Sequence, residues 1–371
     1  MRHSRNGKLP LSRYKGKTVL ITGGTGSWGT ELVSQILPHR PAEIRIYSRG
    51  EAQQVMSKRR FENHPALRYI VGDVRDHTRL DLAMSGVNLV FHLAALKHVP
   101  VCEENPWETV LTNVTGTQNV INAAIRCRVD KVIYVSSDKG VDPLNLYGVT
   151  KLAAEKLIVA ANNLAPTVFS CYRAGNVIGT SGSVIPLFRE QILRLGEITI
   201  TDPEMTRFFI PLRMAIASLI QAESIAVGGE TTVLKMKSIR ISDLAKLMSK
   251  NLNPRKPIAI KNIGIRPGEK LHELLISRNE ATRSIDIGEF FVILPVVEVP
   301  KLLARYKRYR CGIPGEYSSQ NAKRFSSDDF THLLRAEGWL DAERTSSPYL
   351  SRLSKDQLRH IYSANRWLGL I

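Results

Sequence analysis

Lys17–Thr22 (KTVLIT) is a short apolar run rich in β-branched residues and bounded by Gly16 and Gly23, a pattern that predicts a buried strand. Comparable runs recur at Glu43–Tyr47, Leu67–Val71, Leu89–Leu93, Lys131–Val135 and Val168–Arg173. Between them the apolar positions take helical spacing over Thr30–Leu37, Glu108–Arg126 and Leu146–Ala161. Strand and helix therefore alternate, which predicts an α/β fold with a doubly wound parallel sheet and a site at the carboxyl ends of its strands. Beyond residue 175 the alternation loosens. Pro186–Leu195 and Ile241–Lys250 read as helices, Thr199–Pro203 and Glu204–Ile210 as extended chain, and Arg266–Lys270 as the cap of a helix over Leu271–Leu275.

This pattern divides the chain into a basic extension (1–16), a Rossmann-like dinucleotide-binding domain (17–175) and a smaller substrate-binding lobe (176–338), some of whose segments return to the main core. Residues 339–371 form a C-terminal extension, in which Asp356–Ile371 has a helical pattern through Leu358, Ile361 and Trp367. It reads as an oligomer contact or a frayed tail, and a homo-oligomer is expected.

With 371 residues, of which 43% are apolar, the chain has enough material for one large core and an appended lobe. No run is long and apolar enough for a membrane span, and the basic start has no apolar segment behind it, so a cytoplasmic protein without an integral membrane segment is expected. The four cysteines are scattered without C-x-x-C spacing, which argues against a zinc site and a disulfide framework. The net charge of +18 gathers partly in residues 1–17 and in Lys301–Arg310. Such an excess suits nucleic acid, an anionic membrane surface or an anionic small substrate. Neither cluster carries a nucleic-acid motif, so solvated surface is favoured and no nucleic-acid partner is expected.

Candidate chemistry begins at the first strand's exit. Thr22-Gly23-Gly24-Thr25-Gly26-Ser27-Trp28-Gly29 joins a strand to a helix, where glycines 23, 26 and 29 serve a tight turn, close approach of backbone to a pyrophosphate, and close helix packing. The second strand ends in Ser48-Arg49, at the place where an NAD site usually puts a carboxylate; a hydroxyl and a guanidinium suit a 2′-phosphate, favouring NADP with NAD as the alternative. Asp73, followed by Val74, could meet an adenine amino group. Ala94 and Ala95 are small enough to let a cofactor lie against the backbone, and Asn113 could tie neighbouring strands together. His98 reads as structural.

The fifth strand delivers Ser136-Ser137-Asp138-Lys139, and Tyr147 and Lys151 then share one helix face four residues apart. A lysine beside a phenol lowers the phenol's pKa, so that the oxygen can take an alcohol proton near neutral pH. Arg207 and Arg266 are candidates to hold a diphosphate.

The glycine turn, the Tyr-x-x-x-Lys pair and the alternating strands together describe an extended short-chain dehydrogenase/reductase. More narrowly, the chain resembles the short soluble UDP-N-acetylglucosamine 4,6-dehydratases that invert C5. The resemblance rests on TGGTGSWG (22–29), YSRGE (47–51), GDVRD (72–76), AALKHVP (94–100), SSDKGVDPLNLYGVTKLAAEKL (136–157), GNVIGTSGSVIP (175–186), ITDPEMTRFF (200–209), IGIRPGEKLHE (263–273) and EYSSQN (316–321). The chain departs from the family's common tyrosine at Ala174 and from its common lysine at Gln53.

The resemblance implies a UDP-sugar substrate, held by Lys97, Asn176, Val177, Thr201, Arg207, Arg266 and Glu269. It implies a dinucleotide on the glycine turn (Thr22, Gly23, Gly26, Ser27, Trp28, Gly29), on Ser48, Arg49, Asp73, Val74, Ala94, Ala95, Lys97 and Asn113, and beside Tyr147 and Lys151. Tyr147, assisted by Lys151 and aligned by Ser137, would oxidise C4. A Lys139 with depressed pKa would then take the C5 proton, and Asp138 would protonate the departing C6 hydroxyl. A C4-epimerase would need no such acid-base pair, and a non-catalytic NADP sensor would need neither Tyr147 nor Lys151.

Overall fold

Alternation within the first strand shows how the sheet is covered on both faces: Val19 and Ile21 enter one apolar core and Leu20 the other. The structure is a computed structural model that describes residues 13–180, 183–253, 255 and 258–341. The expected terminal extensions fall largely outside the described residues, through residue 12 and from 342 onward. Within the first of them, Tyr14 is buried and Arg13 pairs with Glu223 at 2.7 Å, so the described end of that segment is packed on the core.

The main sheet has nine strands. They are β1 (Thr18–Thr22), β2 (Glu43–Ser48), β3 (Leu67–Val71), β4 (Leu89–His92), β5 (Lys131–Ser137), β6 (Val168–Ala174), β7 (Thr231–Leu234), β8 (Ser284–Asp286) and β9 (Phe290–Ile293). Their order is β8-β9-β7-β6-β5-β4-β1-β2-β3. β1 to β7 run parallel, and β9 and β8 add an antiparallel edge. The order reverses between β1 and β4, where the connections leave toward opposite sides and a crevice opens beyond the strand ends.

A second body of structure covers that crevice. A three-stranded sheet combines Asn176–Val177, Thr206–Ile210 and Lys237–Arg240. Two strand pairs, Glu197–Ile200 with Ala259–Asn262 and Leu274–Ile276 with Tyr317–Ser318, complete it. Its own core gathers Ile185, Phe188, Phe209, Leu244, Met248 and Phe330.

Several elements differ from the expectation. Leu271–Leu275 is not a helix: Thr206 bridges His272, and Leu274–Ile276 is a strand. Pairing of this segment with neighbours distant in the sequence outweighs the helical propensity of its leucines. The helix expected over Glu108–Arg126 is three pieces, Pro106–Val110, a π turn at Leu111–Thr115, and Gly116–Arg126. Inside that turn Asn113 reaches back to bond Leu96, a side-chain task that apolar spacing does not reveal. The helix expected at Pro186–Leu195 is Val184–Glu190 followed by a π turn, which ends at Gly196 in the left-handed region, φ +70°.

Candidate active site

Where β1 ends, Gly23 adopts φ +68°, and a Cβ there would stand 3.0 Å from the Ala94 backbone. Only glycine allows both the turn and the close approach. At Gly29 a Cβ would lie 2.4 Å from Gly24 Cα, so this glycine packs the helix Ser27–Ile36 against its own turn. Gly26 caps that helix without a side-chain bond, leaving its first N–H groups for a ligand. The cleft above the turn, about 790 Å³, is lined by Gly23, Gly26, Ser27, Trp28, Ser48, Arg49, Asp73, Val74, Ala94, Ala95, Lys97, Tyr147, Lys151, Asn176 and Val177. Its volume, glycine floor and open helix terminus fit a dinucleotide.

Three residues expected in contact with the cofactor do not line this cleft. Thr22 is fully buried, its Oγ1 bonded to His92 Nδ1 at 2.7 Å and accepting from the amides of Leu93 and Ala94. His92 in turn is kept neutral by burial, which pushes its pKa down to about 3. Gly29 serves packing, as above. Asn113 accepts from Leu96 N at 2.8 Å and donates to Leu96 O at 3.0 Å and to Thr150 Oγ1 at 3.0 Å, fastening the loop after β4 to the tyrosine helix. Its neighbour Thr112 does line the cleft, with its hydroxyl unpartnered among the described residues. On the far side Arg49 lies 3.8 Å from Asp73, which Arg75 holds at 2.8 Å.

The tyrosine helix, Leu146–Ala161, starts where Asn145 accepts from Gly148 N at 2.9 Å. A Cβ at Gly148 would meet the Lys139 carbonyl at 2.1 Å, so glycine here lets the helix seat directly on the Asp138–Gly140 turn. Tyr147, Lys151, Ser137 and Lys139 thereby converge on one wall of the cleft. Burial pushes the Tyr147 phenol up to about 12, against the opposing pull of Lys139 and of a hydrogen bond with Ser137. The lowering expected of Lys151 falls first to Lys139 and Ser137. Lys151 Nζ donates to Val135 O at 2.6 Å and sits 4.2 Å over the Tyr134 ring, and burial brings its own pKa down to about 8.

A second cleft, about 540 Å³, opens on the lobe side and includes Val99, Lys139, Arg207, Arg266, Glu269 and Glu273. Lys139 and Val99 line both clefts, so the two meet at the Lys139 ammonium. Arg266 is largely buried, its Nη1 3.7 Å from Glu269 Oε1 and its Nε without a hydrogen bond among the described residues, and Arg207 Nε lies 3.5 Å from Glu273 Oε1. Two guanidinium groups lining one cleft suit an anionic ligand. Thr201 is not in either cleft: it is buried with its hydroxyl on Met205 Sδ.

At the junction Lys139 Nζ lies 3.1 Å from Asp138 Oδ1, 3.0 Å from Asn176 Oδ1 and 3.3 Å from Glu273 Oε1. Burial by itself would depress Lys139, but Asp138 and Glu273 outweigh it and hold the pKa above the ordinary lysine value. The expected depressed Lys139 is therefore corrected: it rests as an ammonium. Asp138 is wholly buried and lines neither cleft, reaching them through Ser137 Oγ at 2.7 Å and through Lys139. Burial, and then Glu273, push its carboxyl up against the pull of Lys139. Glu273 goes the other way, held below the usual glutamate value by Lys139, Arg207 and Lys270 despite its burial. Sequence reasoning missed Glu273, although it closes the RPGEKLHE segment. Its signal was its place in that motif, and its charge partners come from elements remote in the chain.

The family model described as polysaccharide biosynthesis protein matches residues 19–295. A UDP-N-acetylglucosamine 4,6-dehydratase (inverting) of Campylobacter jejuni is 41% identical over 327 residues, 85% of this chain and 96% of that one. A UDP-glucose 4-epimerase of Rickettsia rickettsii is 39% identical over 337 residues, 88% of this chain and 98% of that one. The X-ray structure of Pen from Bacillus thuringiensis superposes with a TM-score of 0.81 at 39% identity, covering 88% of this chain and 99% of that one. Among the described residues no helix is long and apolar enough to cross a membrane.

Proposed function

Since this chain belongs to the polysaccharide biosynthesis protein family of extended short-chain dehydrogenase/reductases, we propose that it is a 4,6-dehydratase acting on UDP-N-acetylglucosamine, with NADP as cofactor and inversion at C5. The observation that carries this reading is the buried Asp138–Lys139–Glu273 cluster beside Tyr147, an acid-base apparatus that simple alcohol oxidation does not require.

A bound nicotinamide dinucleotide supplies the acceptor of the C4 hydride and its donor to C6. Tyr147 takes the C4 hydroxyl proton, with Ser137 aligning that hydroxyl and Lys139 favouring the phenolate. The 4-ketone acidifies the C5 hydrogen. Asp138, whose burial raises its carboxyl pKa and whose Oδ1 accepts from Ser137 Oγ, is the acid suited to protonate the C6 oxygen as it departs as water. Arg207 and Arg266 are suited to the diphosphate, which would place the sugar at the junction of the clefts.

The name of the Rickettsia relative suggests a C4-epimerase, but epimerisation gives Asp138, Lys139 and Glu273 no task. Product absorbance in alkali separates the two. A 4-keto-6-deoxy sugar develops an ultraviolet band there, and an epimer, which would refute the dehydratase reading, does not.

The preference for NADP rests on Ser48 and Arg49 at the rim of the dinucleotide cleft. Arg49→Ala is expected to weaken NADP binding by about tenfold to a hundredfold, the loss of one charge-assisted contact, with NAD binding little changed. Fluorescence titration of both coenzymes checks this, and equal losses for the two would contradict it.

A further inference from the structure

Elimination requires a group that accepts the C5 proton, and Lys139 at rest cannot. Its Nζ lies between Asp138 and Glu273, with Asn176 Oδ1 on a third side, and an ammonium so placed has no lone pair to offer. Glu273 has capacity left. Its Oε1 is shared between Lys139 at 3.3 Å and Arg207 Nε at 3.5 Å, and its Oε2 is buried without a hydrogen-bond partner among the described residues. Its backbone is fixed at both ends, the amide donating to Ser319 Oγ at 2.9 Å and the carbonyl accepting from Ser319 N at 2.8 Å.

We infer, resting on the dehydratase reading, that Glu273 is a positioning residue acting through Lys139: it takes a proton from Nζ as Nζ takes the C5 proton. The step balances. The C5–H bond breaks, its electrons form the C5–C6 double bond, and the proton joins Lys139. Lys139 passes one N–H proton to Glu273 Oε1. The C6–O bond breaks with a proton supplied by Asp138, and water leaves. Lys139 is an ammonium before and after, while its counter-charge moves from Glu273 to Asp138.

The charges around the cluster favour the starting state. Glu273 is faced by Lys139, Arg207 and Lys270, and by Asp138 across the ammonium, with the net effect of keeping it ionised. Asp138 is faced by Lys139, Ser137, Tyr147 and Glu273, and its burial raises its pKa above the ordinary aspartate value. Turnover therefore needs Glu273 ionised and Asp138 protonated. It should fall as pH drops through the Glu273 pKa, below the usual glutamate range, and again as pH rises through the Asp138 pKa, above the usual aspartate range.

The test is Glu273→Gln in the full chain, assayed with UDP-N-acetylglucosamine. The expected result is kcat lower by about a hundredfold with KM little changed, as for loss of a group acting in general acid-base chemistry. Reduced nicotinamide should accumulate on the enzyme in stopped flow, because C4 oxidation proceeds while elimination stalls. The acidic limb of the kcat profile should vanish, and Glu273→Asp should regain part of the rate and of that limb. A Gln variant with kcat within about threefold of wild type overturns the inference. So does one that loses oxidation and elimination together without accumulating reduced coenzyme. If the Gln variant does not fold, the Asp variant decides: a stalled, reduced state supports the inference, and wild-type transients overturn it. A wild-type enzyme that forms no 4-keto-6-deoxy product would instead sink the dehydratase reading, and this inference with it.

Discussion

Tyr147→Phe is expected to lower kcat by about a thousandfold, within the range for removal of a general base, with KM nearly unchanged. The phenol is nine-tenths buried and lies at the one wall where Ser137, Lys139 and Lys151 meet, so no solvent molecule takes its place in the same geometry. Its pKa of about 12 in the ligand-free protein arises from burial and is opposed by Lys139. Unlike Glu273→Gln, the phenylalanine variant should form no reduced nicotinamide in a single turnover, because the C4 step itself is lost. Removal of one hydroxyl should leave the melting temperature close to wild type. Residual activity above about a tenth of wild type would move the base elsewhere.

Arg173→Met is expected to destabilise the fold by about 3–5 kcal/mol, the cost of leaving buried partners uncompensated. Arg173 sits in β6 with 1% of its surface exposed. Its Nε and Nη2 donate to Glu155 at 3.0 and 2.5 Å, its Nη1 and Nη2 to Glu280 at 2.9 and 3.0 Å, and its Nη1 also to Leu275 O at 2.8 Å. This network ties the tyrosine helix, through Glu155, to the Ser277–Glu280 capping box. Glu155 stands one turn beyond Lys151 and favours its ammonium, so the same loss should also disturb the site. Urea denaturation should show a lower midpoint at unchanged slope, and an unaltered midpoint would contradict the prediction. The pH dependence has a definite sign. Burial would raise Glu280, but Arg173 prevails and holds it at about 2, against 4.5 for the unperturbed group. Its contribution to stability is therefore present above pH 4.5 and lost as pH falls toward 2, and Arg173→Met should flatten that dependence.

How much of this was legible in the chain depended on the range of the interactions. The strands β1 to β6 and the helix Leu146–Ala161 stood out because their signals are local: short apolar runs rich in β-branched residues, and apolar positions at helical spacing. The glycine turn was equally legible, since its context is a strand on one side and a helix on the other. Leu271–Leu275 was misread because its pairing partners, Thr206 and Tyr317–Ser318, lie far off in sequence. The same cause hid the protonation of the site. Burial alone would depress Lys139, and Asp138 beside it and Glu273 from a remote segment together reverse this, while Asn113 and Thr201 read as ligand contacts only until their buried bonds are seen. Residue types announce the chemistry, and contacts across the fold decide which group carries the proton.

The most direct measurement is incubation of the enzyme with UDP-N-acetylglucosamine in deuterated water, followed by NMR of the product. The account predicts a 4-keto-6-deoxy sugar with deuterium at C5, ring couplings of the inverted configuration, and the hydrogen that left C4 now in the C6 methyl group. A product that keeps its C6 hydroxyl and its C5 hydrogen, altered only in configuration at C4, would contradict it.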